Sequence, residues 1–128
     1  MKIIVSTFVV LSLCFFICGF GCQHLQAKYH PGGPYYYKCW AGSKVPFRPV
    51  DEITLVEAKL IETNGYPYYE AHFNKDGYIE SFKKYIDGKV DWVDSYYYKG
   101  GIFEKRELKK SDGSKIVEKY DKEGNLVE

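Results

Sequence analysis

Residues 66–91, YPYYEAHFNKDGYIESFKKYIDGKVD, hold two Asp-Gly pairs, Asp76-Gly77 and Asp87-Gly88, set eleven residues apart between runs rich in aromatic and β-branched residues. Asp-Gly between such runs is a hairpin turn signal, because both central positions of the tight turn need left-handed backbone. Further turn glycines follow at Gly101, Gly113 and Gly124, so the glycine-to-glycine steps are 11, 13, 12 and 11. That interval is one strand plus one turn, and it predicts an antiparallel β-meander of about six strands over 66–128. A longer period lies on top of it. FNKDGYIE (73–80), YYKGGIFE (97–104) and YDKEGNLVE (120–128) align on glycine at steps of 24 and 23, which makes the unit a hairpin.

The strands in this region are wet. In GGIFEKRELKK, strict alternation sets Phe103, Lys105, Glu107 and Lys109 on one face and Ile102, Glu104, Arg106 and Leu108 on the other. Such strands suit a single sheet with one covered face, built from Tyr69, Phe73, Phe82, Trp92 and Tyr96, and a solvated face held by cross-strand Lys/Glu pairs.

One helix is signalled upstream. Thr54-Leu55-Val56-Glu57 has capping-box spacing, Ile53 and Ala58 stand where a hydrophobic staple would, and Asn64-Gly65 supplies a left-handed stop. The helix is expected over 55–63, with Val56, Leu60 and Ile61 as an apolar stripe laid across the aromatic face of the sheet. The fold class is therefore α+β, a hairpin-repeat meander with one short helix packed on one face, in a single domain spanning 35–128. A first strand is expected near Tyr35–Trp40, and the two prolines of VPFRPVDE keep the next segment extended.

The chain begins MKIIVSTFVVLSLCFFICGF, with one lysine, no acid and an almost unbroken apolar run from Ile3 to Cys18. This is the layout of a signal peptide over 1–21. The run is shorter than the roughly 20 apolar residues of a membrane span, and an uncleaved anchor is the alternative. Either reading sends the rest of the chain out of the cytoplasm. Residues 22–34, with their His-Pro-Gly-Gly-Pro core, read as a tether or entry loop.

Gly19-Phe20-Gly21-Cys22 resembles the box that closes a bacterial lipoprotein signal. Gly21 fits that pattern, whereas Gly19 and Phe20 stand where leucine and a small or β-branched residue are usual. The resemblance implies a lipid on Cys22, attachment to a bacterial membrane and a cell-envelope location. Ordinary cleavage after Gly21 remains the rival. It leaves Cys22 and Cys39 as an even pair in an oxidising compartment, where a disulfide between them would close a secreted or periplasmic protein. The hairpin unit resembles the MORN-type and YD-type repeats of many bacterial proteins, and the segment from Cys39 to Asp91 is similar to a family of small bacterial proteins of unknown function. Neither resemblance implies an activity or a cofactor.

All 17 Asp+Glu and 17 of the 18 Lys+Arg lie after residue 21, so the mature chain is formally neutral. That balance leaves no footprint for nucleic acid. No Gly-x-Ser-x-Gly elbow is present, and the three histidines, His24, His30 and His72, stand beside no recognisable nucleophile. Cys22, His24, His30 and Cys39 match no zinc spacing. A non-catalytic binding or structural role is expected, including binding or neutralising another envelope protein or a glycan; the alternative is an envelope enzyme with an unrecognised site. The thirteen tyrosines cluster, and three in a row in PYYYKCW cannot all face inward on a strand. Tyr35, Tyr36, Tyr37 and Trp40 are the candidate partner-binding aromatics.

Overall fold

The computed structural model describes residues 28–127. The expected signal peptide and Cys22 lie outside them. Seven strands form one antiparallel sheet: β1 Gly32–Ala41, β2 Arg48–Ile53, β3 Tyr68–Phe73, β4 Ile79–Ile86, β5 Lys89–Lys99, β6 Ile102–Lys110 and β7 Lys115–Lys119. One helix, α1 Leu55–Thr63, joins β2 to β3. The spatial order is β2-β1-β3-β4-β5-β6-β7, so β3 to β7 are a plain meander. The 66–127 segment supplies five strands plus one bridge, Tyr120 to Leu126. Strands β2 and β3 both run antiparallel to β1, and the helix makes the crossover that two strands of the same direction require.

The helix starts and stops where the sequence places it. Thr54 accepts from the Glu57 amide at 3.1 Å while Glu57 accepts from the Thr54 amide at 3.1 Å. At the other end Gly65 has φ +83°, its amide donates to Glu62, and the Tyr66 amide donates to Ile61, a Schellman closure.

Alternation fails once in each of three successive hairpins, β3–β4, β4–β5 and β5–β6, at the same place in each, whereas β6–β7 pairs without a shift. Phe73 pairs with Ile79 but His72 with Ser81, so Glu80 is an extra residue in β4. In the same way Asp91 is extra in β5 and Glu104 in β6. Each extra residue is the third after its turn glycine, Gly77, Gly88 or Gly101, and each is acidic. A bulge turns a strand and increases its twist. It also corrects the face assignment of β6: Glu104 takes up the slip, so that Phe103 opposite Tyr98 and Arg106 opposite Tyr96 share one face.

The result is a curled sheet with a concave aromatic core of Tyr37, Tyr69, Phe73, Phe82, Tyr96 and Phe103, ringed by Trp40, Phe47 and Trp92. Trp40 lies edge-on to Tyr69 at 5.1 Å and Tyr69 stacks on Phe82 at 5.2 Å. The β1–β2 loop reaches across this face, and the Phe47 amide donates to the Tyr96 hydroxyl at 3.3 Å. Strands β1 and β5 are three ladder steps apart, about 14 Å on a flat sheet, so this contact depends on the curl.

Two expectations are corrected. The helix does not lie on the aromatic core: Ile53, Ala58 and Tyr68 form a second, smaller cluster, with Tyr36, Ile61 and Tyr85 against it. Tyr68 and Tyr69 point to opposite faces of β3, so the helix covers the outer face. The described part of the expected tether is not free either. Strand β1 begins at Gly32, and Tyr29 is pinned to the sheet: its amide donates to Gly77 at 2.8 Å, its ring stacks on Phe73 at 4.5 Å and its hydroxyl donates to Pro49 at 2.9 Å. Gly77 is buried beneath this strap, and a β-carbon there would overlap the Tyr29 carbonyl oxygen.

Candidate functional site

The four candidate aromatics are dispersed by the strand that carries them. Tyr35 and Tyr37 face the concave side, with Tyr35 opposite Ala71 and Tyr37 opposite Tyr69. Tyr36 points the other way and meets Tyr68 edge-on at 6.1 Å. Trp40 belongs to the aromatic core, within 6.2 Å of Phe82 and Trp92. Tyr35 and Tyr37 therefore share the concave side, Tyr35 half-buried and Tyr37 buried in the core.

They line a pocket of about 340 Å³ formed where the Tyr29 strap crosses β1, walled by Tyr29, Tyr35, Tyr37 and Phe73 and rimmed by Lys28, His30 and Glu52. The Tyr35 hydroxyl donates to Pro31 at 3.2 Å. Burial pushes the Tyr37 phenol well above its usual range, and the Glu52 carboxylate pushes it the same way. Aromatic walls with charges of both signs can hold a flat or polyhydroxylated group, with its polar edges at the rim.

Cys39 is a free thiol at the edge of the core, half-buried, with Sγ 3.7 Å from Asp51 Oδ2. Burial first, and then the neighbouring Asp51 carboxylate, raises its pKa, which suppresses the reactive thiolate. Its expected alternative partner, Cys22, lies outside the described residues. His72 sits on the outer face beside Glu70, Nε2 to Oε2 3.8 Å, and Glu70 is shared with Lys83 at 3.4 Å and the Tyr85 hydroxyl at 3.5 Å. Burial, then Glu70, pushes the Tyr85 phenol up to about 12. Among the described residues no group of three or more His, Cys, Asp or Glu is placed to hold a metal ion.

A further surface comes from the helix. Its stripe turns away from the sheet: Val56 is 71% exposed, Leu60 60%, Leu55 47%, and Tyr66 just beyond is 66% exposed. Only Ala58 is buried. The reason is steric. The helix bridges β2 and β3 across β1, its closest approach is at Ala58, and the large side chains on either side of that line are left outside. Glu57 and Glu62 rim the patch, and Lys59 Nζ pairs with Glu62 at 3.6 Å and with the Tyr68 hydroxyl at 3.3 Å.

One constellation escaped sequence reading. Asp94, fully buried, accepts from Arg106 Nε at 2.8 Å and from the Tyr96 hydroxyl at 2.8 Å; Arg106 Nη1 reaches Glu118 at 2.9 Å, and Tyr120 donates to Glu118 at 3.2 Å. Burial pushes the Asp94 carboxyl above the usual carboxylate range, against the pull of Arg106 and Tyr96. Arg106 stands directly opposite Glu118 on β7, while on β5 it faces Tyr96 and reaches Asp94 diagonally, because Asp94 pairs with Leu108. Arg106 also lies 5.4 Å from the Phe47 ring centroid, which ties this network to the β1–β2 loop. With Asp94 fully buried beneath Tyr96, the network reads as the polar support of the core.

No curated protein and no solved structure matches the chain. A family model does, over residues 30–128, a range that begins just after Tyr29 of the strap and takes in the helix and every described strand: the chain belongs to the family of unknown function DUF6156.

Proposed function

We propose that the protein is a lipid-anchored component of the bacterial cell envelope that works by binding another protein rather than by catalysis. The observation that carries the binding role is the outward apolar side of α1. A nine-residue helix that buries one alanine and exposes Leu55, Val56 and Leu60 beside Tyr66 gives up burial that a sheet-packed helix would ordinarily use. Helix-borne anchors at i and i+4 with an acidic rim suit a complementary protein groove. The envelope address rests on the apolar leader and on Cys22. The pocket under the strap supports a second reading, a glycan held between Tyr35 and Phe73 with Glu52 at its rim.

The test is a photo-crosslinking residue at position 56 or 60 of the full chain in cells that make it, with position 111 as control. A discrete adduct from 56 and 60 alone, abolished by Leu55→Asp with its neighbours intact, is the expected result. Identical adducts from position 111, or none from the helix, would remove the protein-binding reading.

A further inference from the structure

We infer that the end of the sheet carrying the β3–β4, β5–β6 and 121–125 turns is the end that lies against the bilayer, held there by a short tether rather than by charge. The inference rests on the reading of Cys22 as the lipid anchor. The described chain is fixed to the sheet from its first residues, ahead of the first strand: Tyr29 is held to Gly77, Phe73 and Pro49, and the Lys28 ammonium lies 5.5 Å over the Tyr78 ring. Six peptide steps separate Cys22 from Lys28, which span about 20 Å at most. Strand β5 alone, Lys89–Lys99, is about 35 Å long. The tether is therefore shorter than the body it holds, and it attaches at one extreme of the long axis, beside the Gly77 turn.

Charge does not do this work. At this end Lys28, Lys75, Lys99 and Lys122 are offset by Asp76, Asp121 and Glu123, close to an even balance. The position should thus be insensitive to anionic lipid, unlike that of a polybasic surface. The opposite end holds the Asp87-Gly88 turn, whose Gly88 amide donates to Glu62 in the last turn of the helix at 3.0 Å. The helix is thereby fastened to the end remote from the membrane, and its apolar patch faces the compartment where a partner would arrive.

The experiment uses the full chain, processed in a lipoprotein-competent host and reconstituted in phosphatidylcholine vesicles that contain a headgroup quencher. In a Cys39→Ser background, a fluorophore is placed at Lys75→Cys or at Ser111→Cys. Several-fold stronger quenching at 75 than at 111 is expected, unchanged when anionic lipid is added and largely lost when twenty Gly/Ser residues are inserted after Cys22. Equal quenching in a protein whose mass shows the lipid, or a preference that appears only with anionic lipid, overturns the orientation alone. A mass showing unmodified Cys22 overturns the anchor reading and the orientation with it.

Discussion

Replacing Gly77 by alanine should cost the domain more than replacing any other turn glycine of the meander, and the comparison can be made almost internally controlled. Gly77 has φ +84° and Gly113 has φ +89°, so alanine at either position meets the same left-handed penalty of about 1–2 kcal/mol. The two sites differ in what a β-carbon would touch. At Gly113 nothing lies within 4 Å, whereas at Gly77 it would overlap the Tyr29 carbonyl oxygen. The strap must then lift, losing the Tyr29 amide bond to Gly77, worth about 0.5–1.5 kcal/mol, and the Tyr29–Phe73 stack, worth a similar amount beyond its burial. The expected loss is about 2–5 kcal/mol for Gly77→Ala against about 1–2 kcal/mol for Gly113→Ala. Urea unfolding followed by the fluorescence of Trp40 and Trp92 reads both, and trypsin cleavage after Lys28 should accelerate in the Gly77 variant alone. Equal losses, with unchanged cleavage, would refute the docked strap.

Asp94→Ala leaves the Arg106 guanidinium without its buried partner and should cost about 3–5 kcal/mol, while Asp94→Leu combined with Arg106→Met should lose clearly less than the two single changes together; a denaturation double-mutant cycle decides. Leu60→Lys should stay within about 0.5 kcal/mol of the parent, because that side chain is already in water, whereas Ala58→Leu should lose about 1–3 kcal/mol by overpacking; reversed ranks in thermal unfolding would mean that the helix docks the other way round. Thr54→Ala should cost about 1 kcal/mol through the lost cap, seen as a lowered urea midpoint. The Glu57 carboxyl is held below its usual value, first by its hydrogen bond from the Thr54 amide. Its contribution is accordingly present above the unfolded carboxylate range and lost as pH falls through the folded value. NMR titration should show Glu57 protonating below the usual glutamate range, and the Thr54→Ala variant should retain part of that depression because the main-chain amide at position 54 remains; full recovery to the usual range would refute the cap as described.

The turns and the helix were legible because their signals are local. Asp87-Gly88, Thr54 with Glu57, and Asn64-Gly65 each specify a backbone conformation within four residues, and each folds as specified. The turns at Asn74 and Asp121 also repeat bond for bond: each side chain accepts two turn amides, and Phe73–Ile79 and Tyr120–Leu126 pair alike at their bases. What the sequence did not yield depends on position across the sheet. Val56 and Leu60 look like a buried stripe, but Ala58 defines the line of contact over β1, a matter of where the helix lands. The split of Tyr35 from Tyr36 follows from strand alternation, but the packing of Trp40 into the core and the docking of Tyr29 depend on how the sheet is arranged around them. The Asp94–Arg106–Glu118 ladder needs the register of three strands, which becomes readable only once the bulge at Glu104 is known.

That bulge series has a consequence for how the strands find their partners. A slip of one residue in a hairpin exchanges the two faces, which is costly wherever one face is buried. Here a slip would carry Glu80, Asp91 or Glu104 from the solvent side in among Phe82, Trp92 and Phe103, exposing a carboxylate to a medium that cannot solvate it. Each acid therefore penalises misregister in its own hairpin, three residues from the turn glycine, so that register in β3–β4, β4–β5 and β5–β6 is specified hairpin by hairpin.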